Sequence, residues 1–433
     1  MVAVSQRHLM DRAWAVFDDD HVVAYAGLAL PALLMSRLGL ESAANAVLSS
    51  GYRPGRKVCT LVAGMLAGAD CIDGIDVLRA GSAGRVLASD VMAPSTCGSW
   101  LRSLSIGQVS QLDSLMGSMF ERAWQLGARP DAQSVVGIDL DSSVHEVYGD
   151  LKQGAQFAYN HVYGLHPQYS TIRATGEVVA ARLRAGSANS ARGAAGLLAK
   201  AVARVRRGGH EGPIEIGADS AFHNSKVIGR CIKLGVRYSI TARKDKIVRE
   251  LIDTIDERKW RSIEYRGGIA QVAESYHGLR AGERLIIRRV KNYDRHGQGS
   301  LFDTWQHHAF VTNKEGDTLT LDAEHRKRAM QELAIRDLKA EALAHMPSGD
   351  FQANAAWMHL ACLAHNLLRW TGRIGLGIDG WLCTKTIRAR LLATPGRITR
   401  TARRTTLRLP ARWPWAEQWL RALRRIRSLP MPC

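Results

Sequence analysis

The chain has 433 residues, 46% hydrophobic and 23% charged, which is typical of a globular protein with a sizeable core and two or three domains. Its formal net charge of +19 predicts a polyanionic partner, with nucleic acid ahead of an anionic membrane. The seven cysteines are scattered and form no C-x-x-C pair, which argues against a disulfide framework or a zinc ribbon.

The first forty residues carry no segment suited to a membrane. Their most apolar run, residues 26–40, is interrupted by Pro31 and Arg37 and is too short to span a bilayer. The N-terminus has no apolar secretory segment ahead of its charges. We therefore expect a cytoplasmic protein with no membrane partner.

Residues 1–130 are predicted to form a helical domain. An apolar helix is expected from Lys57 to Ala69, and an amphipathic stripe runs from Val109 to Ala123. Several short helices and a basic loop leave room for a helix-turn-helix, although the pattern favours plain helical packing.

The pattern changes over residues 131–235 to an alternation of strands and helices. Two short apolar strands end in acids, the first at Asp139 and Asp141, which share one strand face, and the second at Asp219. The other elements predicted here are strands over 148–163 and 169–184, the latter broken near Thr175-Gly176, and helices over 191–206 and 227–234. This order indicates an α/β domain with carboxylates at its strand ends.

Residues 236–320 are predicted to be rich in strands. The expected strands, separated by glycines and charged turns, cover 238–242, 262–265, 269–276, 284–290 and 308–312. We interpret this segment as a β-rich insertion in the α/β domain.

A helix free of Gly and Pro is predicted over residues 322–339. At about 100° per residue, one face of this helix presents His325, Arg328, Glu332 and Lys339 within roughly 60°. A solvated face with ordinary i,i+4 ion pairs is the alternative. A strongly apolar core helix over 350–370 then completes the α/β domain within residues 321–372.

Residues 373–433 form a basic C-terminal tail. It carries many arginines, opposed by Asp379 and Glu417, with Trp413, Trp415 and Trp419 interleaved. Such a tail suits phosphate contacts, and a disordered solubilising end is the alternative.

Three acids that are distant in sequence stand out as one candidate site: Asp141 (or Asp139), Asp219 and Glu332. Hard carboxylate oxygens can hold two Mg²⁺ ions when neighbouring strands bring them together. Each acid taken singly has an ordinary alternative as a turn cap or ion-pair partner.

The spacing of His325, Arg328, Glu332 and Lys339 resembles the Tyr-Arg-Glu-Lys signature of bacterial DDE-class insertion-sequence transposases, whose catalytic domain has the RNase H-like (retroviral integrase) fold. Further motifs are similar to insertion-sequence family 1380 and occur in order over about residues 90–372. They are I-D-L-D-S-S-V-H-E-V-Y-G, G-A-Q-F-A-Y-N, R-L-R-A-G-S-A-N-S, A-D-S-A-F, R-A-M-Q-E-L-A-I-R-D-L-K, F-Q-A-N-A-A-W and L-A-H-N-L-L-R-W. The departure is His325, where the signature has Tyr.

The resemblance implies that Asp141, Asp219 and Glu332 are the catalytic metal ligands for two Mg²⁺ ions, with Mn²⁺ as a substitute. Asp141 is preferred to Asp139 because the family pattern places the catalytic acid just before a Ser or Thr, here Ser142. The resemblance also assigns DNA phosphate contacts to Arg328 and Lys339, with His325 assisting. Arg182, Arg184, Ser187 and Asn189 are further candidates for DNA contact, unless they cap the following helix.

The implied activity is that of a DNA transposase. It would bind the terminal inverted repeats of its element, through residues 1–130 among others, and pair the ends as a homodimer. It would then hydrolyse phosphodiesters and join the 3′-hydroxyls to target DNA, associated with the nucleoid while bound. The alternatives are a structure-specific nuclease of the same fold and a non-catalytic DNA-binding protein. The absence of H-E-x-x-H and G-x-x-x-x-G-K-[ST] motifs argues against a zinc or nucleotide enzyme.

Overall fold

The computed structural model describes residues 13–87, 90–266, 268–276, 280, 282–291, 305–326, 331–381 and 383–432. For Gln331 and Glu332 it describes the backbone only.

The N-terminal part is helical, as predicted, apart from one short strand. Its helices are α1 Ala29–Leu38, α2 Leu40–Val47, α3 Pro54–Ala67, α4 Ala83–Val86, α5 Pro94–Arg102 and α6 Ile106–Ala123. Helix α6 begins at a capping box in which Ser105 and Gln108 satisfy each other's backbone N–H groups. The unpredicted strand, β1 Val22–Val23, has only two residues, too few to produce a periodic pattern.

One large sheet dominates the next part of the chain. The strands and helices of this part of the chain, in order, are β2 Val136–Ser142, β3 His145–Glu146, β4 Gln156–Phe157, β5 Tyr163–Leu165, β6 Gln168–Ile172, β7 Val178–Arg182, α7 Ala194–Arg207, β8 Ile214–Ala218, α8 Ser225–Lys233, β9 Arg237–Thr241 and α9 Lys246–Asp253. Strand β2 pairs antiparallel with β6 and parallel with β8, and β9 continues parallel to β8. The α/β class predicted from the sequence is therefore confirmed.

The long strand predicted over 148–163 is wrong for most of its length. Gly149 and Gly154 have positive φ values, 94° and 78°, and they turn the chain before β4. Strands β3, β5 and β4 form a separate small sheet beside the large one.

The strands predicted after residue 236 are all present and extend the same large sheet. The first is β9, already given, and the other four are β10 Arg261–Ile263, β11 Ala270–Ser275, β12 Arg284–Lys291 and β13 Trp305–Thr312. Among the described residues the sheet has nine strands, in the order β10-β11-β12-β13-β9-β8-β2-β6-β7. Antiparallel pairing of β13 with β9 joins the two halves, so the predicted insertion shares its sheet with the acid-bearing strands.

Three helices follow the sheet: α10 Thr318–Arg326, α11 Gln331–Lys339 and α12 Phe351–Trp370. The predicted helix over 322–339 is thus present at both of its ends, while residues 327–330 lie outside the described part. Helix α12 is buried from Ala353 to Trp370, and it packs on both the N-terminal helices and β7. The core-helix prediction is confirmed.

The basic C-terminal region is folded over residues 383–432, so the disordered alternative is wrong. Its elements are α13 Thr384–Ile387, β14 Gly396–Thr401, β15 Arg404–Arg408 and α14 Ala416–Arg427. Strand β14 pairs with both β15 and β1. Helix α14 packs against α1 and the turn at Thr371–Leu376 through buried Trp419, Ala422 and Ile426. None of the described helices is both long and apolar enough to cross a membrane.

Candidate active site

The register of the sheet places Asp141 beside Asp219. In the parallel pair β2–β8 the last matched residues are Leu140 and Ala218, and each aspartate is the next residue on its strand. Neighbouring strands are about 4.8 Å apart, so the two backbones carry their carboxylates at one edge of the sheet. Asp141 is half-buried and Asp219 is exposed. The structure therefore brings these two predicted site residues together.

Backbone N–H groups orient both carboxylates. The N–H of Ser142 donates to Asp141 Oδ1 over 2.6 Å. Asp219 begins a short 3-10 turn, Ser220–Phe222, and its Oδ1 accepts from the N–H of Ala221 over 2.9 Å. Each acid thus has a defined direction fixed by the turn that follows its strand.

Asp139, the alternative first acid, has a different environment. Its side chain is fully buried, and Arg173 donates to it from both Nε, at 3.1 Å to each carboxylate oxygen, and Nη2, at 2.8 Å. Such a bidentate pair satisfies a buried carboxylate internally. The geometry favours Asp141 as the metal ligand and Asp139 as a structural ion-pair partner.

Lys339 connects α11 to the chain that follows Asp141. Its Nζ donates to Ser143 Oγ over 3.1 Å and to the carbonyl oxygen of Val144 over 2.9 Å. Partial burial of the ammonium lowers the pKa of Lys339. Position 332 lies two helical turns before Lys339 on the same face of α11, about 10 Å along its axis.

A buried ion pair fixes the same helix to the core. Arg369 of α12 donates from Nη2 to Asp337 Oδ2 over 3.1 Å, and the N–H of Thr384 donates to the same oxygen over 3.2 Å. Both charged side chains are almost wholly buried. Helix α11 is thereby held at its C-terminal half by the core and by the loop after Asp141.

The third predicted acid, Glu332, has its backbone in the first turn of α11, and its side chain lies outside the described part. Arg328 also lies outside the described residues. Within the described side chains, no group of three or more His, Cys, Asp or Glu residues could hold a metal ion. The described part of the candidate metal site therefore consists of Asp141 and Asp219, and their oxygens are the donor type that Mg²⁺ prefers.

Comparison with protein families decides the classification. The family described as "Transposase DDE domain group 1" matches residues 9–431. The chain belongs to this family. DDE transposases generally use divalent metal ions. No curated protein matches the chain.

A similar solved structure is that of piggyBac transposase, in a synaptic complex with hairpin DNA determined by cryo-EM. It is 10% identical to this chain, with a TM-score of 0.46, and the alignment covers 85% of this chain and 79% of that one.

In this transposase His325 contacts the large sheet. Its Nδ1 lies 2.7 Å from Ser239 Oγ and its Nε2 lies 3.3 Å from Thr241 Oγ1, both on β9. The ring stacks on Phe310 with a centroid distance of 4.0 Å and an interplanar angle of 3°. These contacts fix the ring one strand beyond the strand that precedes Asp219, and its phosphate contact remains a prediction.

The arginines predicted beside the site differ in exposure. Arg182 is exposed at the end of β7. Arg184 is buried and donates to the carbonyl oxygens of His166, Asn189 and Ser190. Burial, with the nearby Arg182 charge, lowers the pKa of Arg184 to about 10. Arg184 therefore shapes the loop before α7, and Arg182 is the one whose guanidinium faces outward.

The other two residues of that loop make local contacts. Ser187 Oγ donates to Gln156 Oε1. Asn189 Oδ1 accepts from the N–H of Ala191 over 2.9 Å, a turn contact just ahead of α7.

His166 is a neighbour of the site that the sequence analysis missed. Its Nδ1–H donates to the carbonyl oxygen of Ala188 over 2.9 Å, so its Nε2 accepts from the Ser142 hydroxyl, 3.0 Å away. Burial, with the charge of Arg184, lowers the pKa of His166 and keeps the ring neutral at pH 7. No sequence pattern marks His166, because the contact depends on the pairing of β2 with β6.

Proposed function

We propose that this family member is the transposase of an insertion sequence of family 1380, with an RNase H-like catalytic domain. It binds the terminal inverted repeats of its element, hydrolyses phosphodiesters at the ends and joins the 3′-hydroxyls to target DNA. The observation that carries the proposal is the placement of Asp141 beside Asp219 at the ends of parallel strands, with Lys339 of the Glu332 helix bonded to the loop after Asp141.

The proposed metal ligands are Asp141, Asp219 and Glu332. The two described carboxylates fit divalent cations because they are hard oxygen donors, adjacent by register and accessible at a sheet edge. Two Mg²⁺ ions bound there, or Mn²⁺ in their place, would lower the pKa of an attacking water or 3′-hydroxyl and stabilise the leaving oxygen.

The cationic side chains around this edge would hold the DNA. Lys339 is bonded to neutral oxygens only, and no carboxylate of the described residues pairs with it, so its charge is available to a phosphate. Arg328 and His325 of the signature, and exposed Arg182, would contact neighbouring phosphates. Arg184 acts here by holding the loop that carries Ser187 and Asn189.

The partners implied by this activity are the terminal inverted repeats and target DNA, bound by a homodimer that pairs the two ends. The net charge of +19 supports a polyanionic partner. The protein would work in the cytoplasm, on the nucleoid.

The deciding experiment is cleavage of a duplex carrying the element's own end, with Mg²⁺ and with EDTA. Glu332→Gln is expected to abolish cleavage and to leave end binding unchanged, because it removes one metal ligand and no phosphate contact. A Glu332→Gln protein that still cuts would refute the assignment of Glu332.

Two further outcomes separate the alternative functions. Cleavage without strand-transfer products would indicate a nuclease. End binding without metal-dependent cleavage would indicate a non-catalytic DNA-binding protein.

A further inference from the structure

The β14–β15 hairpin has two faces of opposite character. Residues directly opposite each other in an antiparallel pair share a face, and here Arg397 faces Arg408, Thr399 faces Thr406, and Thr401 faces Arg404. One face of the hairpin therefore consists of arginine and threonine alone. We call it the Arg/Thr face; its members are Arg397, Thr399, Thr401, Arg404, Thr406 and Arg408.

The other face fixes the hairpin to the body of the protein. Ile398 is 5% exposed and packs in a small cluster with Val23, Ala26 and Ala83, with Leu407 packed against it. Pairing of β14 with β1 adds a third strand. The Arg/Thr face is therefore the side of the hairpin opposite to the packed side chains. It belongs to a different sheet from the one whose strands contain Asp141 and end just before Asp219.

Few carboxylates compensate the charge of this hairpin. Arg397 pairs with Asp19 at 3.3 Å, and Arg408 donates from Nε to Thr399 Oγ1 over 3.2 Å. Arg403 at the tip and Arg404 are exposed, and no acidic side chain in the described part of the chain forms an ion pair with them. The surface therefore presents several guanidinium groups whose counter-charge is not supplied by the fold.

We propose that the Arg/Thr face binds duplex DNA at a position separate from the catalytic edge. This inference rests on the proposed function, which supplies DNA as the substrate. Arginine and threonine both donate hydrogen bonds to phosphate oxygens, and a two-stranded ribbon fits the major groove of B-DNA.

The chemistry of the face disfavours other polyanions. It carries no aromatic side chain for stacking on unpaired bases, which single-strand binding needs. Its six residues also include no large apolar side chain to insert into a lipid surface, and the apolar neighbour on the same side of the sheet, Val22 of β1 opposite Arg397, is a short side chain. Duplex phosphate is the partner that fits a flat array of hydrogen-bond donors.

The test is a salt titration of binding by the full chain to a duplex carrying the element's end. The triple variant Arg397→Gln, Arg404→Gln, Arg408→Gln removes the three arginines of the Arg/Thr face. It is expected to bind more weakly and to flatten the slope of log K against log salt by about 2–3, since each lost phosphate contact removes about 0.9. Replacement of the same three residues by lysine is expected to restore the slope.

The matched control removes three charges from the same region. Arg421→Gln, Arg424→Gln, Arg427→Gln alters exposed positions of α14 and is expected to change the slope much less. Equal losses in the two triples would overturn the proposal, because general charge would then explain the effect. An unchanged salt slope in the hairpin triple would also overturn the proposal. The same holds if the hairpin triple loses more binding to single-stranded DNA, or to anionic phospholipid vesicles, than to duplex DNA.

The same experiment separates this inference from the proposed function. If the wild type cleaves its end in Mg²⁺ and the hairpin triple binds like the wild type, the inference alone fails. If the wild type neither binds nor cleaves the duplex, both fail.

Discussion

Two aspartates only two residues apart, on the same face of β2, have different partners because of one arginine. Arg173 comes from the turn after β6 and satisfies Asp139 in the interior. Asp141 lies one strand step beyond the reach of Arg173, at the edge where β2 and β8 end. Position along the strand, rather than residue type, separates the structural acid from the proposed ligand.

This difference predicts that an Asp→Asn substitution acts mainly on stability at position 139 and mainly on cleavage at position 141. Asp139→Asn removes the bidentate partner of Arg173 and leaves the more distant Glu215, whose Oε2 lies 3.8 Å from Arg173 Nη1. We therefore expect it to lower the free energy of unfolding by about 3 kcal/mol. Asp141→Asn is expected to abolish cleavage and to change that free energy by less than about 1 kcal/mol. Urea unfolding and end cleavage measure the two effects. A large loss of stability in Asp141→Asn would assign Asp141 a structural role.

His145 makes the stability of the same region depend on pH. Its Nδ1–H donates to the carbonyl oxygen of Leu343 over 3.2 Å, and its Nε2 lies 3.2 Å from the Tyr169 hydroxyl. Burial, with the Lys339 charge, lowers the pKa of His145 to about 3. An unfolded histidine titrates near 6.5, so the unfolded state binds the extra proton below that pH.

The contribution of His145 to stability is therefore complete above pH 6.5 and is lost as the pH falls from 6.5 to about 3. We expect the free energy of unfolding of the wild type to fall more steeply over this window than that of His145→Gln. Urea titrations at several pH values give the two slopes. Identical slopes would contradict the neutral buried state of His145.

At the scale of elements, α11 is fixed by its C-terminal half while the catalytic position proposed for it is in its first turn. Asp337 and Arg369 form the buried attachment, and Lys339 bonds to the Val144 carbonyl. The attachment thereby determines where position 332 lies relative to the edge carrying Asp141.

Asp337→Asn tests this attachment. It leaves the Arg369 charge buried without its carboxylate, and we expect a loss of about 3–5 kcal/mol in the free energy of unfolding. End cleavage is expected to fall even at temperatures where the variant remains folded. Arg336→Lys on the same helix is the control, because it keeps the exposed charge that lies 3.8 Å from Asp337 Oδ1, and it should change neither quantity appreciably. Wild-type cleavage by a folded Asp337→Asn protein would show that the attachment does not position Glu332.

The elements with strong local patterns could be predicted from the sequence. The acid-ended strands expected at 134–141 and 213–219 lie at Val136–Ser142 and Ile214–Ala218, because short β-branched runs ending in acids specify them locally. The sequence could not show that Arg173 forms an ion pair with Asp139, or that His166 contacts Ser142. Both contacts join residues more than twenty positions apart and depend on strand register, which local periodicity does not encode.

At the scale of the whole molecule, the two ends of the described chain are packed together. Strand β1 pairs with β14, α1 packs on α14, and Gly27 lies so close to the carbonyl of Leu391 that a side chain would overlap it. The basic C-terminal region is consequently part of the N-terminal helical core. This packing could not be predicted from the sequence, because arginines outnumber the few apolar residues of the C-terminal region that are buried, such as Trp419, Ala422 and Ile426 of α14.

A chain truncated after Pro395 is therefore expected to lose stability as well as charge. It would expose Val23, Ala26 and Ala83 and the surface of α1 that α14 covers. We expect a lower Tm and faster proteolysis within residues 20–90. The Arg421→Gln, Arg424→Gln, Arg427→Gln triple is the control for charge alone. An unchanged Tm in the truncated chain would mean that the C-terminal region is an independent appendage.

The pairing of β1 with β14 also has a consequence for synthesis. About 370 residues separate Val23 from its partner Gly396, so at roughly 5–20 residues per second the ribosome needs about 20–75 s to supply the missing strand. During that interval Val23, Ala26 and Ala83 of the nascent N-terminal region are not yet covered by β14. Limited proteolysis of stalled ribosome complexes would detect this exposed surface. A chain released anywhere in this span lacks β14, so Val23, Ala26 and Ala83 lose the side chain of Ile398 that packs on them.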